Sequence, residues 1–385
     1  MAANSSLSKL LQQLIALPSV NPAFLPAGDL RTGEAGMVSF LADTARIAGL
    51  EVELQPVLPG RSNLIVRLRP SGKVIRRFLL APHLDTVGEP ELDRQLRPRS
   101  RSGKIFGRGA CDTKGCVAVM MSALCEFARS HPRPANTEFV FLGLVDEEDG
   151  QSGSRFFAKH GLRADLAIVG EPTRLEVVTA HKGDVWLKLK TRGKSAHGAV
   201  PHLGRNAILE ASRVVQVLET ELASILRNRS HPLLGSPTIN VGYIHGGTQP
   251  NIVPGECEVW IDRRTLPGES DKMVQDEIES LLQSHGLSVR YSAARNPCSP
   301  LETDSSLPAV RSLLTAARRR TAKGVHFFCD ASVLSAGGIP SVVFGPGDIA
   351  QAHTSDEWIA IGDLEKAKQI LLRWLDRLVI DDAPR

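Results

Sequence analysis

Leucines at 7, 10, 11, 14 and 17 recur at the spacing of one helix face, which predicts a helix over 7–17. A second predicted helix covers 34–50, with Gly49 near its end. Strands are predicted over 51–57 and 63–68, separated by Pro59-Gly60, and a third over 74–80 runs into Pro82-His83-Leu84-Asp85. The run FVFLGLV at 139–145 is almost continuously apolar, as a strand covered on both faces is, and it ends in Asp146, Glu147, Glu148 and Asp149. Residues 166–169 repeat the pattern and end at Gly170-Glu171. A helix over 114–129 lies between them and begins just after Asp112. These apolar strands therefore end in His, Asp or Glu, and in an open α/β sheet ligands bind in the crevice beyond the carboxyl ends of the strands.

The texture changes near residue 180. Residues 185–189 alternate as a half-buried strand does, and a long helical pattern follows over 206–226. Strands over 238–244 and 256–261 are linked through Gly246-Gly247, then a helix over 272–284 leads to a short strand over 287–291. The order β-α-β-β-α-β predicts a ferredoxin-like α+β unit, four antiparallel strands with helices on one face. After about residue 300 the α/β pattern returns, with a helix over 307–318, a strand over 340–344 and an apolar helix over 364–378. The predicted organisation is one α/β catalytic domain with a mixed central sheet flanked by helices, made of 1–179 and 293–385, interrupted by an inserted domain over 180–292.

Composition narrows the function classes. Hydrophobic residues make up 42%, charged residues 23%, and mean hydropathy is -0.08, values of an ordinary globular protein. No run of ~18 uncharged apolar residues occurs, and the N-terminus lacks a secretory pattern, so neither a membrane nor a secretory signal is expected. Lys+Arg 46 against Asp+Glu 42 gives +4, dispersed apart from Arg318-Arg319-Arg320 and Lys323, and aromatics are 5% with Tyr243 and Tyr291 the only tyrosines. That distribution argues against a nucleic-acid surface, and the arginine run reads as a solvated helix end first, with an anion contact as the alternative. The six cysteines form no C-x-x-C pair; free thiols and a reducing, cytoplasmic location are expected.

The chemistry concentrates at a few positions. At spacing two on a strand end, His83 and Asp85 project to one side, so Asp85 can fix the imidazole tautomer and leave the other nitrogen for a metal. Asp112, in GRGACDTKG, is suited either to an ordinary helix cap or to bridging two cations. Adjacent Glu147 and Glu148 read either as an exposed acidic turn or as a pair in which one ligates and the other moves a proton. Glu171 in GEPT and His353 in AHTSDEW complete the set. Mixed nitrogen and oxygen donors suit two divalent ions, zinc first, with cobalt or manganese able to occupy the same site; calcium fits imidazole poorly.

HLDT, GRGACDTKG, DEEDG, GEPT and AHTSDEW, in that order, resemble the co-catalytic zinc hydrolases of peptidase family M20, over nearly the whole chain. Members include acetylornithine deacetylase, succinyl-diaminopimelate desuccinylase, aminoacylase and glutamate carboxypeptidase. The resemblance implies that His83 and Glu171 hold one metal, Glu148 and His353 the other, and Asp112 bridges them. It implies that Asp85 orients His83, and that Glu147 is the general base on a metal-bridging water. The inserted domain resembles the family's lid and dimerisation domain. There His197, in GKSAHG, is implied to stabilise the oxyanion across a homodimer, with Asn251 and Arg264 as substrate contacts; Arg263 is adjacent and shares the last assignment.

HKGDVW, HGG and FGPG lean toward the acetylornithine deacetylase branch, so deacetylation of N-acetylornithine in arginine biosynthesis is expected. Desuccinylase, aminoacylase, dipeptidase and carboxypeptidase activities stand as alternatives, as does a catalytically silent metal-binding homologue. The expected partner is a small N-acyl amino acid or dipeptide. Pro82 stands before His83 where relatives often have Gly. Cys111 and Cys329 have no Cys-His-acid arrangement to make them nucleophiles.

Overall fold

The computed structural model describes residues 5–88, 92–294, 296 and 298–380. The chain forms two compact units, one of Met1–Thr179, Thr303–Lys323 and Cys329–Arg385, the other of Ala180–Glu302 and Gly324–Phe328.

The first unit is built on a mixed sheet. Its strands are β1 (Glu51–Leu58), β2 (Arg61–Leu68), β3 (Arg76–Pro82), β4 (Thr137–Gly143), β5 (Leu166–Gly170), β6 (Val178–His181), along which the chain leaves the unit, and β7 (Ser341–Val343). They lie in the order β1-β2-β4-β3-β5-β7-β6. The neighbours β4, β3, β5 and β7 run parallel, while β1 pairs β2, β2 pairs β4 and β7 pairs β6 antiparallel. Every residue of β4 and β5 is buried, as parallel strands covered on both faces must be.

Helices α1 (Ser6–Ala16), α2 (Ala35–Ile47), α3 (Lys114–Ser130), α5 (Pro308–Ala316) and α7 (Ile361–Ile380) share one apolar core with Phe78, Leu80, Phe139 and Phe141. Trp374 of α7 is fully buried there, edge-on to Phe78, with its indole N–H donated to the Ala309 carbonyl at 3.1 Å. Helices α4 (Ser152–His160) and α6 (Asp330–Ala336) pack together, and α6 lies against β5 and β7. The sequence pattern passed over both: α4 is short and buries only Gly153, Ser154 and Phe157, too few large apolar positions to set a helical period.

The second unit is the split β-α-β-β-α-β arrangement. Its sheet pairs Thr238–Gly246, Glu256–Thr265, Gly183–Arg192 and Arg290–Ala293 antiparallel in that order. Val185, Leu187, Leu189, Val259 and Ile261 face helices Ala207–Val217 and Asp271–Ser284. Lys188–Glu258 at 2.8 Å and Lys190–Glu256 at 2.7 Å cross the opposite face, the one-sided pattern of a half-solvated antiparallel sheet. The last strand starts at Arg290, later than the apolar pattern over 287–291 suggests. Leu287 is instead buried in the helix core just after Gly286, which turns the chain at φ 68°.

His181, at the entry to this unit, is fully buried, donates through Nδ1 to the Lys182 carbonyl at 2.8 Å, and is pulled down from 6.5 to about 4 by burial. Its folded value lies below its unfolded one, so its contribution to stability is complete above pH 6.5 and is lost as pH falls through about 4. Replacing His181 by Leu is expected to remove about 2 kcal/mol of the stability lost between neutral pH and about pH 5. Urea denaturation of both proteins at the two pH values measures it.

Candidate functional site

The parallel neighbours β4, β3 and β5 each lead into a ligand-type side chain. His83 is the first residue after β3 and Glu171 the first after β5. Beyond β4, Leu144 bridges to His83, and Asp146 at φ 69° reverses the chain so that Glu147 and Glu148 follow. Asp112 immediately precedes Thr113, the cap of α3, and its peptide bond to Thr113 is cis. His353 comes from the loop after β7, at φ 59°. These residues, with Asp85, all belong to the first unit.

The structure brings them together around Asp112. His83 Nε2 lies 3.1 Å from Asp112 Oδ1 and 3.7 Å from Glu171 Oε1. On the other side, His353 Nε2 lies 3.4 Å from Asp112 Oδ2 and 3.1 Å from Glu148 Oε2. One carboxylate thus offers one oxygen to each of two imidazole-carboxylate pairs. His83, Asp112 and Glu148 each present a donor atom, all within 4.8 Å of one another.

The electrostatics of the cluster call for a cation. Burial pushes Glu171 well above the ordinary carboxylate range, and nearby Asp112 and Asp330 push the same way against His83. Burial raises Glu147 too, with His83 opposing and Asp330, Glu171 and Glu148 adding to the rise. Burial also works to raise Asp112, but hydrogen bonds to His353 and His83 outweigh it and hold the group low. Hydrogen bonds with Asp112 and Glu148 carry His353 up to about 10 against the effect of burial. Glu148 Oε1 is buried without a hydrogen-bond partner among the described residues. A buried orphan carboxylate oxygen beside two imidazoles and two further carboxylates is a donor set that fits divalent metal ions.

Asp85 does more than the sequence suggests. His83 Nδ1 lies 3.1 Å from the Asp85 carbonyl oxygen and 3.4 Å from its carboxylate, so either acceptor leaves Nε2 for a metal. The carboxylate itself accepts the backbone N–H of Glu147 at 3.0 Å and of Glu148 at 3.0 Å, plus Asn21 Nδ2 at 2.8 Å. Asn21 Nδ2 also donates to Asp146 at 2.9 Å. Asp146 in turn accepts from Arg61 at 2.9 Å, and Arg61 grips Glu34 through two bonds of 2.6 and 2.8 Å. This network clamps the turn carrying Glu147 and Glu148. The Glu147 carboxylate engages in no hydrogen bond among the described residues. Sequence reasoning did not find Asn21, Glu34 or Arg61, which lie in no motif; Asp146 stood inside VDEEDG, which was read only for its neighbours.

The remaining expected site residues belong to the second unit. His197 is exposed and bridges to Ile252, and Gly198 donates its N–H to the Asn251 carbonyl at 2.7 Å, so His197 and Asn251 sit on two loops zipped together. A side chain at Gly198 would come within 3.0 Å of the Asn251 backbone, which explains the glycine. Arg264 is not beside them. Eight residues of strand separate it from Glu256, near which those loops lie, or ~26 Å at 3.3 Å per residue. Arg263 is fully buried and bonded to Glu269 at 2.7 Å, whereas Arg264 is partly exposed and holds Asp262 through two bonds of 2.9 Å. Cys111 and Cys329 are buried free thiols, both raised by burial, and are poor nucleophiles. Arg318, Arg319 and Arg320 are exposed just beyond α5.

Three comparisons bear on this geometry. The model of "Peptidase family M20/M25/M40" matches residues 79–377. An acetylornithine deacetylase of Proteus mirabilis is 31% identical over 382 residues, covering 94% of each chain. Among solved structures, an aminopeptidase PepT from Bacillus cereus has a TM-score of 0.77 at 21% identity, covering 97% of this chain and 98% of its own. A dinuclear metal binding peptidase of Bacillus subtilis has a TM-score of 0.71 at 12% identity, covering 97% and 98%.

Chelator-stripped protein is expected to gain thermal stability on addition of Zn2+ or Co2+, rising with the logarithm of ion concentration once it exceeds Kd. Since His353 is held protonated up to about 10 without metal, binding near pH 8 releases a proton and apparent affinity rises with pH. Calorimetric titration in buffers of different ionisation enthalpy detects that proton. Asp112→Asn is expected to weaken binding by more than ~100-fold.

Proposed function

The chain belongs to peptidase family M20/M25/M40 and is a metal-dependent hydrolase of amide bonds; from that premise we propose that its substrate is an N-acyl amino acid, N-acetylornithine first. The observation that carries the catalytic reading is Asp112 set between two imidazole-carboxylate pairs, with Glu147 beside them and unengaged. The choice of acetylornithine rests on the Proteus mirabilis relative, together with a similar deacetylase of Myxococcus xanthus, 31% identical over 350 residues.

In this reading His83 and Glu171 would hold one zinc ion and Glu148 and His353 the other, with Asp112 a ligand available to both. The ions supply Lewis acidity, polarising the amide carbonyl and making water a nucleophile near neutral pH. Glu147 accepts the proton of the attacking water and later delivers it to the departing amine, the role its free, environment-raised carboxyl suits. Asp85 keeps Glu147 and Glu148 aimed by fixing their backbones. Residues 180–292 serve as a lid and dimerisation domain interrupting a catalytic domain of 1–179 and 293–385. His197 steadies the developing oxyanion, Asn251 and Arg264 hold substrate, and a guanidinium such as Arg264 can pair bidentately with an amino-acid carboxylate.

The ~26 Å of strand between Arg264 and Glu256, near which the His197–Asn251 loops lie, supports their serving different active sites, as a homodimer would require. A dimer is supported also by the sheet edge at Thr238–Gly246, where Tyr243 and Ile244 are exposed, as are Ile208 and Leu209 on the neighbouring helix. Six buried free cysteines suit the reducing cytoplasm. No helix of the described residues is long and apolar enough to cross a membrane.

Initial rates on Nα-acetyl-ornithine, N-succinyl-diaminopimelate, N-acetyl-methionine and short dipeptides should give the highest kcat/KM for the first. A higher value for the succinyl compound would instead make the enzyme a desuccinylase. Glu147→Ala should retain both metals and lose roughly 100- to 10,000-fold in kcat; unchanged turnover would sink the mechanism. Sedimentation should show a dimer in the wild type and a monomer in Ile244→Lys, which puts a charge on the open strand edge.

A further inference from the structure

Glu357 lies four residues past His353, in the motif AHTSDEW, and is almost wholly buried, 1% exposed. Its carboxylate accepts four hydrogen bonds. Oε1 takes the backbone N–H of Cys111 at 2.7 Å and of Asp112 at 2.9 Å; Oε2 takes the N–H of Gly109 at 2.9 Å and the Arg108 guanidinium at 2.9 Å. The Glu357 backbone carbonyl also accepts the N–H of Gly107 at 3.0 Å. One side chain thus ties the backbone at Gly109, Cys111 and Asp112 to a segment 245 positions away in sequence.

Two loops must meet for Asp112 to face both imidazoles; the central sheet sets neither, and a short antiparallel pairing of Trp358–Ala360 with Lys104–Phe106 brings their flanks together. The Asp112 loop precedes α3, and the His353 loop follows β7. Glu357 is where they are joined. Charge-assisted bonds from a carboxylate to backbone N–H groups are stronger than neutral ones, and a buried network of this kind holds its members in one arrangement. We propose that Glu357 is a positioning residue for the metal centre, setting Asp112 against His353 by holding the backbone of the Asp112 loop. The proposal rests on the reading of Asp112 as the bridging ligand.

A glutamine at 357 keeps the shape but has one acceptor oxygen, and its NH2 group turns toward backbone donors. The control is Glu138→Gln, another fully buried glutamate, paired with Arg77 at the ends of β4 and β3 away from the ligands. Wild type, Glu357→Gln, Glu357→Asp and the control are stripped of metal and titrated with Co2+. Affinity is read by competition with a chromophoric chelator, and ligand geometry by the visible absorption of bound Co2+.

Wild type and control should bind alike, while Glu357→Gln weakens binding by about 10- to 100-fold and alters the absorption. Glu357→Asp, which keeps the charge, should recover part of both. Wild-type affinity and absorption in Glu357→Gln would overturn the positioning role; a wild type that takes up no Co2+ would overturn the metal-site reading beneath it. If the variants do not fold, hydrogen exchange of the wild type decides. The amides of Gly109, Cys111 and Asp112 should exchange far more slowly than the exposed turn at Gly103, and equal rates would overturn the proposal.

Discussion

The constraint on which the first unit depends is the accumulation of buried negative charge at the ends of three parallel strands. Asp85, Asp112, Glu148 and Glu171 are nearly or wholly enclosed, and Glu147, Asp146 and Asp330 crowd the same region against two imidazoles. Like charges at such spacing do not pack unaided. Three of them are met by something specific: Asp85 by two backbone N–H groups and Asn21, Asp146 by Arg61 and Asn21, Asp112 by both histidines. Among the described residues Glu148 Oε1 and Asp330 Oδ2 are buried without a hydrogen-bond partner and the Glu147 carboxylate engages in none, a deficit of positive charge that divalent cations suit.

This arrangement divides labour between side chains that touch the reaction and side chains that hold others in place. Buried Glu34 and half-buried Arg61 form a pair that bonds to Asp146, and through it they brace the turn before Glu147. A buried charge without its partner is far more costly than the pair is beneficial, so such networks tolerate little loosening. The turn is correspondingly confined: Asp146 adopts φ 69°, a conformation non-glycine residues rarely take unless their surroundings compel it. The same logic applies at His353, also left-handed at φ 59°.

Much of the fold was legible because burial writes itself into period. The continuous apolar run of β4 and the alternation of Val185, Leu187 and Leu189 each announce how many faces are covered. Elements that bury little were not legible. The three short strands Arg99–Arg101, Lys104–Phe106 and Trp358–Ala360 pair into a small sheet without an apolar pattern to mark them, and α4 packs through glycine and serine. The ligand-type residues stood out as polar interruptions at strand ends, but Asn21, Glu34 and Arg61 look in sequence like ordinary surface residues.

The sequence by itself determined the two-unit order of elements, the ends of the apolar strands at which His83, Glu147, Glu148 and Glu171 stand, and the membership of the chain in its family. It did so because hydrophobic period and side-chain type are local properties. Only the tertiary structure decided which oxygen of Asp112 faces which imidazole, that Asp85 holds the backbone of the two glutamates, that Arg263 is locked inside while Arg264 reaches the surface, and that Glu357 joins the loops of Asp112 and His353. Those are contacts between segments tens to hundreds of residues apart, whose distances are set by packing and so are written nowhere in the spacing of residues along the chain.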